Sequence, residues 1–183
     1  MPPPSPDARR ARFERLYDAT SHRILAYALR RTTPEDAADL VAETFMVAWR
    51  RLDTVPEGDE ARLWLYGVAR RVLANQQRGQ ARQARLSERL RGEIAAVGEA
   101  VVEQAGPPED GRVAAALAAL PEADRELLTL VGCEHLDRDQ LATVLGCSKA
   151  TARVRLHRAR RRLAGLLEAG QPTVTMIEGR RAL

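Results

Sequence analysis

The stretch Asp137 to Leu163, DRDQLATVLGCSKATARVRLHRARRRL, decides the fold. Asp137 stands as an N-cap, with Gln140 at the third helical position to complete a capping box. The short helix that follows carries Leu141, Val144 and Leu145, and Gly146 supplies the left-handed residue that ends it. Ser148 caps a second, longer helix. At about 100° per residue, Ala152, Leu156, Ala159 and Leu163 fall on one apolar stripe. Arg153, Val154, His157, Arg158 and Arg161 fall on the outward arc. From Ser148 to Leu163 there are seven Lys and Arg residues and no acid. A short helix, a glycine turn and a basic amphipathic helix make up the helix-turn-helix reader of duplex DNA, whose second helix enters the major groove. The plainer alternative is a solvated arginine-rich surface helix. The two caps, the turn and the short leading helix favour DNA.

Composition sets the frame around this element. A chain of 183 residues holds one large domain or two small ones. It is 45% hydrophobic but only 4% aromatic, which suits small helical bundles with thin cores. Net charge is only +4, so the placement of charge matters more than its sum. Cys133 and Cys147 give no disulfide framework, as expected in a reducing cytoplasm. No apolar run reaches the roughly 18 to 20 residues that span a bilayer, and no signal-peptide core is present. The expectation is a soluble, cytoplasmic, all-α protein without membrane insertion.

Residues 1–6 read as a disordered, proline-rich arm. Asp7 to Arg31 is helical, with Phe13, Leu16, Tyr17, Ile24, Leu25 and Leu29 as buried positions and a bend near Thr20 and Ser21. Thr33 caps the next helix, with Pro34 at its first position and Asp36 at its third. That helix runs to about Leu52. Val41, Phe45, Ala48 and Leu52 form its core stripe, and Asp36, Asp39 and Glu43 lie together on the opposite side. Between Glu35 and Glu60 eight acids face two arginines, Arg50 and Arg51. The helix dipole accounts for Glu35 and Asp36 but not for Glu43, more than two turns in, so a basic protein partner is the sharper reading.

Thr54 to Glu60 is a loop by its Pro and Gly. The next helix spans about Ala61 to Gln80, with Leu65, Val68, Ala69 and Val72 inside. A separate stripe holds Trp64, Arg71 and Asn75, flanked by Gly67 and Arg78, with Arg70 further round. Arginines beside an indole and an asparagine suit single-stranded nucleic acid; the blander account makes Trp64 a core or boundary residue. Residues 81–111 read as a linker, part helical and part flexible. Arg112 to Leu120 opens a second domain, and Pro121 starts the helix Glu122 to Gly132. Leu117, Leu120, Leu127, Leu128 and Val131 close its core. The domain ends near residue 168. The tail, 169–183, is irregular and includes Ile177-Glu-Gly-Arg180, which matches a common engineered protease site.

Two all-α modules thus stand in series, 7–80 and 112–168. Asp36-Ala-Ala-Asp-Leu-Val-Ala-Glu-Thr-Phe45, followed by Ala48-Trp-Arg, resembles the signature segment of bacterial sigma factors, particularly the extracytoplasmic-function (ECF) group. Trp64-Leu-Tyr-Gly-Val-Ala-Arg70 is similar to that group's next segment. Ala118 to Leu128, Gln140 to Gly146 and Ser148 to Leu163 resemble its C-terminal domain. The resemblance implies a promoter-recognition subunit of RNA polymerase holding only the second and fourth of the family's domains. It implies that Asp36, Asp39 and Glu43 dock on the clamp helices of the largest polymerase subunit, and that the polymerase flap is a second contact. Val55, Trp64, Arg70, Arg71, Asn75 and Arg78 would hold the melted non-template strand of the −10 element. Lys149, Arg153, Val154, His157, Arg158 and Arg161 would read the −35 element. An anti-sigma factor is the further partner implied. The chain departs from the family at Arg71, often Asn there, and at Val55, where an aromatic is common nearby.

No catalytic residue, cofactor or metal is expected. The chain has no Gly-rich phosphate loop, HExxH or nucleophile elbow, and the spacing of Cys133, His135 and Cys147 fits no common zinc pattern. Two other classes stay open at this level: a stand-alone helix-turn-helix regulator binding duplex operator DNA, and an adaptor whose basic helix binds an acidic protein.

Overall fold

A computed structural model describes residues 5–91 and 111–169, and among these every regular element is helical. Helix α1 spans Pro6–Leu29. It begins inside the stretch expected to be disordered, because the Ser5 hydroxyl accepts from the Ala8 amide at 3.2 Å and Pro6 is preset for a first helical turn. The helix passes Thr20 and Ser21 unbroken; the Thr20 hydroxyl donates to the Leu16 carbonyl at 2.5 Å within the preceding turn. Tyr17, Leu25 and Leu29, expected inside, are exposed, while Ile24, Tyr27 and Ala28 are buried.

Helix α2, Pro34–Arg50, starts as its cap dictates, with Thr33 Oγ1 accepting from the Asp36 amide at 3.2 Å. Its buried stripe is Ala37, Leu40, Thr44, Phe45 and Ala48, so Val41 sits at the stripe's edge and is half-buried. A short 3-10 turn, Leu52–Thr54, follows. Helix α3, Asp59–Arg91, continues well past the expected end at Gln80 into the linker stretch. Together α1, α2 and α3 form the first domain.

The second domain holds α4 (Gly111–Ala119), α5 (Glu122–Gly132), α6 (Arg138–Leu145) and α7 (Lys149–Ala169). The expected caps are all formed. Asp137 Oδ1 accepts from the Asp139 and Gln140 amides at 2.8 Å each, and Gln140 Oε1 accepts from the Asp137 amide at 3.0 Å. Gly146 adopts φ +62°, a conformation that costs an L side chain but not glycine. Ser148 Oγ accepts from the Thr151 amide at 3.1 Å. These local bonds fix the turn, and α7 then buries Ala152, Leu156 and Ala159. Arg162 pairs with Asp124 to tie α7 to α5. Arg125 donates to the carbonyls of Leu117, Ala118 and Leu120, satisfying the end of α4.

The two domains are packed together. One buried apolar cluster runs from Ile24, Tyr27, Leu65 and Tyr66 in the first to Leu130, Leu141 and Val144 in the second. This explains why α3 buries Leu63, Tyr66 and Leu73 in addition to the four positions expected from periodicity. One flank of α3 meets α1 and α2, and another meets α6. Each fully buried leucine there contributes about 1.5–3 kcal/mol relative to exposure. Most of the linker and the tail with Ile177–Arg180 lie outside the described residues.

Candidate nucleic-acid interface

Helix α7 presents one continuous basic face. Lys149, Arg153, Val154, His157, Arg158 and Arg161 are all exposed, because the apolar stripe on the other side is held by the domain core. Arg153, Val154, His157 and Arg158 line a groove of about 430 Å³ together with Arg138 and Arg160. Arg138 was not among the expected residues. It belongs to the first turn of α6, and the Gly146 turn carries α6 back across α7. Lys149 Nζ meets Asp139 Oδ2 at 2.6 Å, an exposed pair of small energetic weight that leaves the lysine accessible. Guanidinium groups beside a small apolar residue and an imidazole are the chemistry of major-groove reading.

The arginine face of α3 is arranged differently. Arg71, Asn75 and Arg78 are exposed, and Arg78 Nη2 donates to Asn75 Oδ1 at 2.5 Å, orienting the amide. Trp64 is half-buried and packs against both apolar clusters with Phe13 and Leu16, so much of its ring serves the fold. Val55 is only 4% exposed, packed with Leu52 and Ala61. What it turns toward its neighbours is backbone: its carbonyl accepts from Arg12 Nη2 at 2.7 Å. The loop beyond it and α1 border an open groove of about 340 Å³ lined by Arg12, Arg15, Thr20, Val55, Pro56 and Glu57. Arg12 and Arg15 line this space, a placement that no local pattern in the first helix revealed. Arg70, in contrast, is engaged: its Nε donates to Glu126 Oε2 of the second domain at 3.0 Å.

On α2 the acidic face is available. Asp39 is exposed, Asp36 and Glu43 are half-buried, and among the described residues no Lys or Arg pairs with any of the three carboxylates. Met46 extends the same side of the helix and is exposed, with Trp49 one turn on. Arg9 stacks over the Trp49 ring at 5.3 Å, and Phe13 meets it edge-on at 5.2 Å. Unpaired carboxylates beside exposed apolar side chains are groups that a protein partner could meet.

Two tyrosines complete the electrostatics of the domain seam. Burial pushes the phenols of Tyr27 and Tyr66 well above their usual range, and the nearby carboxylates of Glu126 and Glu134 push the same way. Both therefore stay protonated and act as donors: Tyr66 to Glu134 Oε2 at 2.9 Å, Tyr27 to Glu126 Oε1 at 3.4 Å.

Comparison with known proteins fixes the class. Residues 16–83 match the family model Sigma-70 region 2, and residues 110–163 match Sigma-70, region 4. A sigma subunit of RNA polymerase is the class these two regions define, and a stand-alone helix-turn-helix regulator would leave the first match without a role. The ECF RNA polymerase sigma factor EcfG of Rhodopseudomonas palustris (strain TIE-1) is 31% identical over 131 residues, covering 72% of this chain and 71% of that one. The ECF sigma-E factor of Salmonella typhimurium (strain LT2) is 30% identical over 158 residues, covering 81% and 82%. Among solved structures, the sigma factor RpoE of Bartonella quintana bound to the anti-sigma factor NepR aligns with TM-score 0.64 at 26% identity, over 87% of this chain and 98% of that one. CnrH in complex with the cytosolic domain of CnrY aligns with TM-score 0.58 at 27% identity, over 87% and 89%. The chain belongs to the ECF sigma factors, the promoter-specificity subunits that direct transcription initiation by RNA polymerase.

Proposed function

We propose that residues 7–80 dock on core polymerase and hold the melted −10 element, while residues 112–168 read the −35 element as duplex. Asp36, Asp39 and Glu43 meet the basic clamp helices of the largest subunit, and the second domain meets the flap. Trp64, Arg70, Arg71, Asn75, Arg78 and the loop at Val55 hold the non-template strand. Lys149, Arg153, Arg158 and Arg161 contact phosphates and guanines, and Val154 and His157 reach base edges. The observation that carries this reading is the pairing of an exposed, acid-free arginine face on α7 with unpaired carboxylates on α2.

Opening a duplex costs a few kcal/mol per extruded base, so the protein must bind the open form better than the closed one. Arginines along a strand and a pocket beside them supply that difference in affinity. The work is binding, in the cytoplasm, and needs neither a catalytic residue nor a cofactor. A proteinaceous inhibitor of the anti-sigma class is a further partner, on the strength of the RpoE–NepR and CnrH–CnrY complexes.

Run-off transcription tests the reading. Promoter-specific transcripts are expected only when the protein and core polymerase are both present. Tight operator binding by the protein alone, with no transcript, would overturn it. Asp39→Arg with Glu43→Arg should abolish co-elution with core polymerase while helicity is retained; undiminished co-elution removes those carboxylates from the docking surface.

A further inference from the structure

A cavity of about 130 Å³ is lined by the end of α1, by α3 and by α5. Arg30, Arg31, Arg70 and Arg125 border it, against two carboxylates, Glu122 and Glu126. These cations are not equally answered. Arg70 meets Glu126, and Arg30 meets Glu134 at 2.6 Å. Arg125 donates to the neutral carbonyls that end α4, and no carboxylate pairs with it among the described residues. Arg31 is the deepest of the four, its side chain 10% exposed and its guanidinium 3.7 Å over the Tyr27 ring. Its Nη1 donates to the Tyr27 carbonyl at 2.9 Å but stands 3.6 Å from Glu134 Oε1, beyond hydrogen-bond reach. Its Nη2 is buried and meets no acceptor among the described residues. A charged donor left unmet away from water costs more than a neutral one, and an anion is the acceptor that relieves it best.

We propose that this cavity binds a phosphoryl anion, with Arg31 as its buried donor and Arg125 as the second cation that no carboxylate neutralises. Size agrees. An apolar cavity of roughly 150 Å³ takes a benzene ring, so about 130 Å³ takes a tetrahedral oxyanion. Whole drug-sized ligands need pockets of about 300–1,000 Å³, so of a nucleotide only the terminal phosphate would enter. Leu73 and Ala74 supply an apolar wall, and the low dielectric beside it strengthens the attraction between guanidinium and anion. Glu126 is engaged by Arg70 and Tyr27, and Glu122 is exposed at the start of α5, so neither carboxylate answers Arg31. Arg31 belongs to the first domain and Arg125 to the second, so a bound anion contacts both and stabilises their packing by mass action. Arg31 and Gln77, which also lines the cavity, have no part in the promoter roles proposed above.

Isothermal calorimetry on the full-length protein, without polymerase or DNA, tests the site with sodium phosphate as titrant. Sodium chloride holds the ionic strength constant, so that screening of the basic face of α7 does not change during the titration. A saturable isotherm is expected. Arg31→Met keeps an apolar stem and removes the charge; it should weaken binding by about tenfold or more, as the loss of one charge-assisted contact does. Gln77→Glu sets a carboxylate on the cavity wall and should weaken binding in the same direction. ATP in place of phosphate separates the two sources of the anion. Tighter binding that falls with Arg31→Met assigns the terminal phosphate of a nucleotide, and weaker binding assigns the free ion. A titration that saturates with neither ligand overturns the site. Binding that Gln77→Glu leaves undiminished also overturns it, because the anion then sits elsewhere, as on α7. Circular dichroism checks both variants. Should Arg31→Met lose helicity, Gln77→Glu carries the same test.

Discussion

Helices α7 and α3 each carry an arginine face proposed to meet nucleic acid, yet the two stand in opposite conditions. On α7 the six residues proposed to read DNA are exposed to solvent, and the helix is held from behind by its own domain. On α3 the arginine face borders an interdomain seam, and Arg70 is already bound to Glu126. Two helices of similar chemistry thus differ in what covers them. The basic face of α7 is open to solvent in the structure as it stands, whereas Arg70 at the edge of the α3 face is covered by Glu126 of the second domain.

The seam is the place to press first. Leu130 is fully buried in the cluster shared by both domains, and Leu130→Ala should cost about 2–5 kcal/mol. Both tryptophans, Trp49 and Trp64, lie in the first domain, so their fluorescence in a urea titration reports on a substitution made in the second. A midpoint that falls by fluorescence as well as by circular dichroism is expected. A fluorescence midpoint that stays put would mean that the domains melt independently. On the uncovered helix, Arg158→Ala should weaken discrimination among −35 variants by about 1–3 kcal/mol in binding assays with polymerase; an unchanged preference would take that residue off the reading face.

A smaller effect tests how α7 is aimed. Asp137→Ala removes the capping box of α6 and should lower stability by about 0.5–2 kcal/mol, seen as a reduced thermal midpoint. The smallest effect comes from the seam tyrosines. Their pKa values are raised above the ordinary 10.0, so their contribution to stability is fully present below about pH 10 and is lost as pH rises beyond it. Absorbance near 295 nm should show these two phenols still protonated at pH 10. Half-ionisation of all three tyrosines at that pH would mean the seam is open to water.

Local chemistry made much of the fold legible in the chain. Thr33, Asp137, Gly146 and Ser148 act within four residues of their own positions, and each takes the cap or turn its side chain allows. The outward arc of α7 was readable for the same reason, since a 3.6-residue period fixes which side chains share a face. The burial of Val55 was not legible, because a lone valine in a Pro-Gly loop carries no sign of the small cluster that Leu52 and Ala61 build around it.

The residues alone settled the helices, their caps, the helix-turn-helix and the order of the two domains, because hydrogen bonds to near neighbours and helical periodicity are properties of short segments. Folding in three dimensions settled what each face meets. Glu134 reaches Arg30 across 104 positions and Tyr66 across 68, and Arg138 joins the α7 groove only once the turn has closed. Periodicity states that a face is apolar or charged. Whether water, DNA or another part of the same chain covers that face depends on contacts between segments far apart in sequence, and no local pattern encodes them.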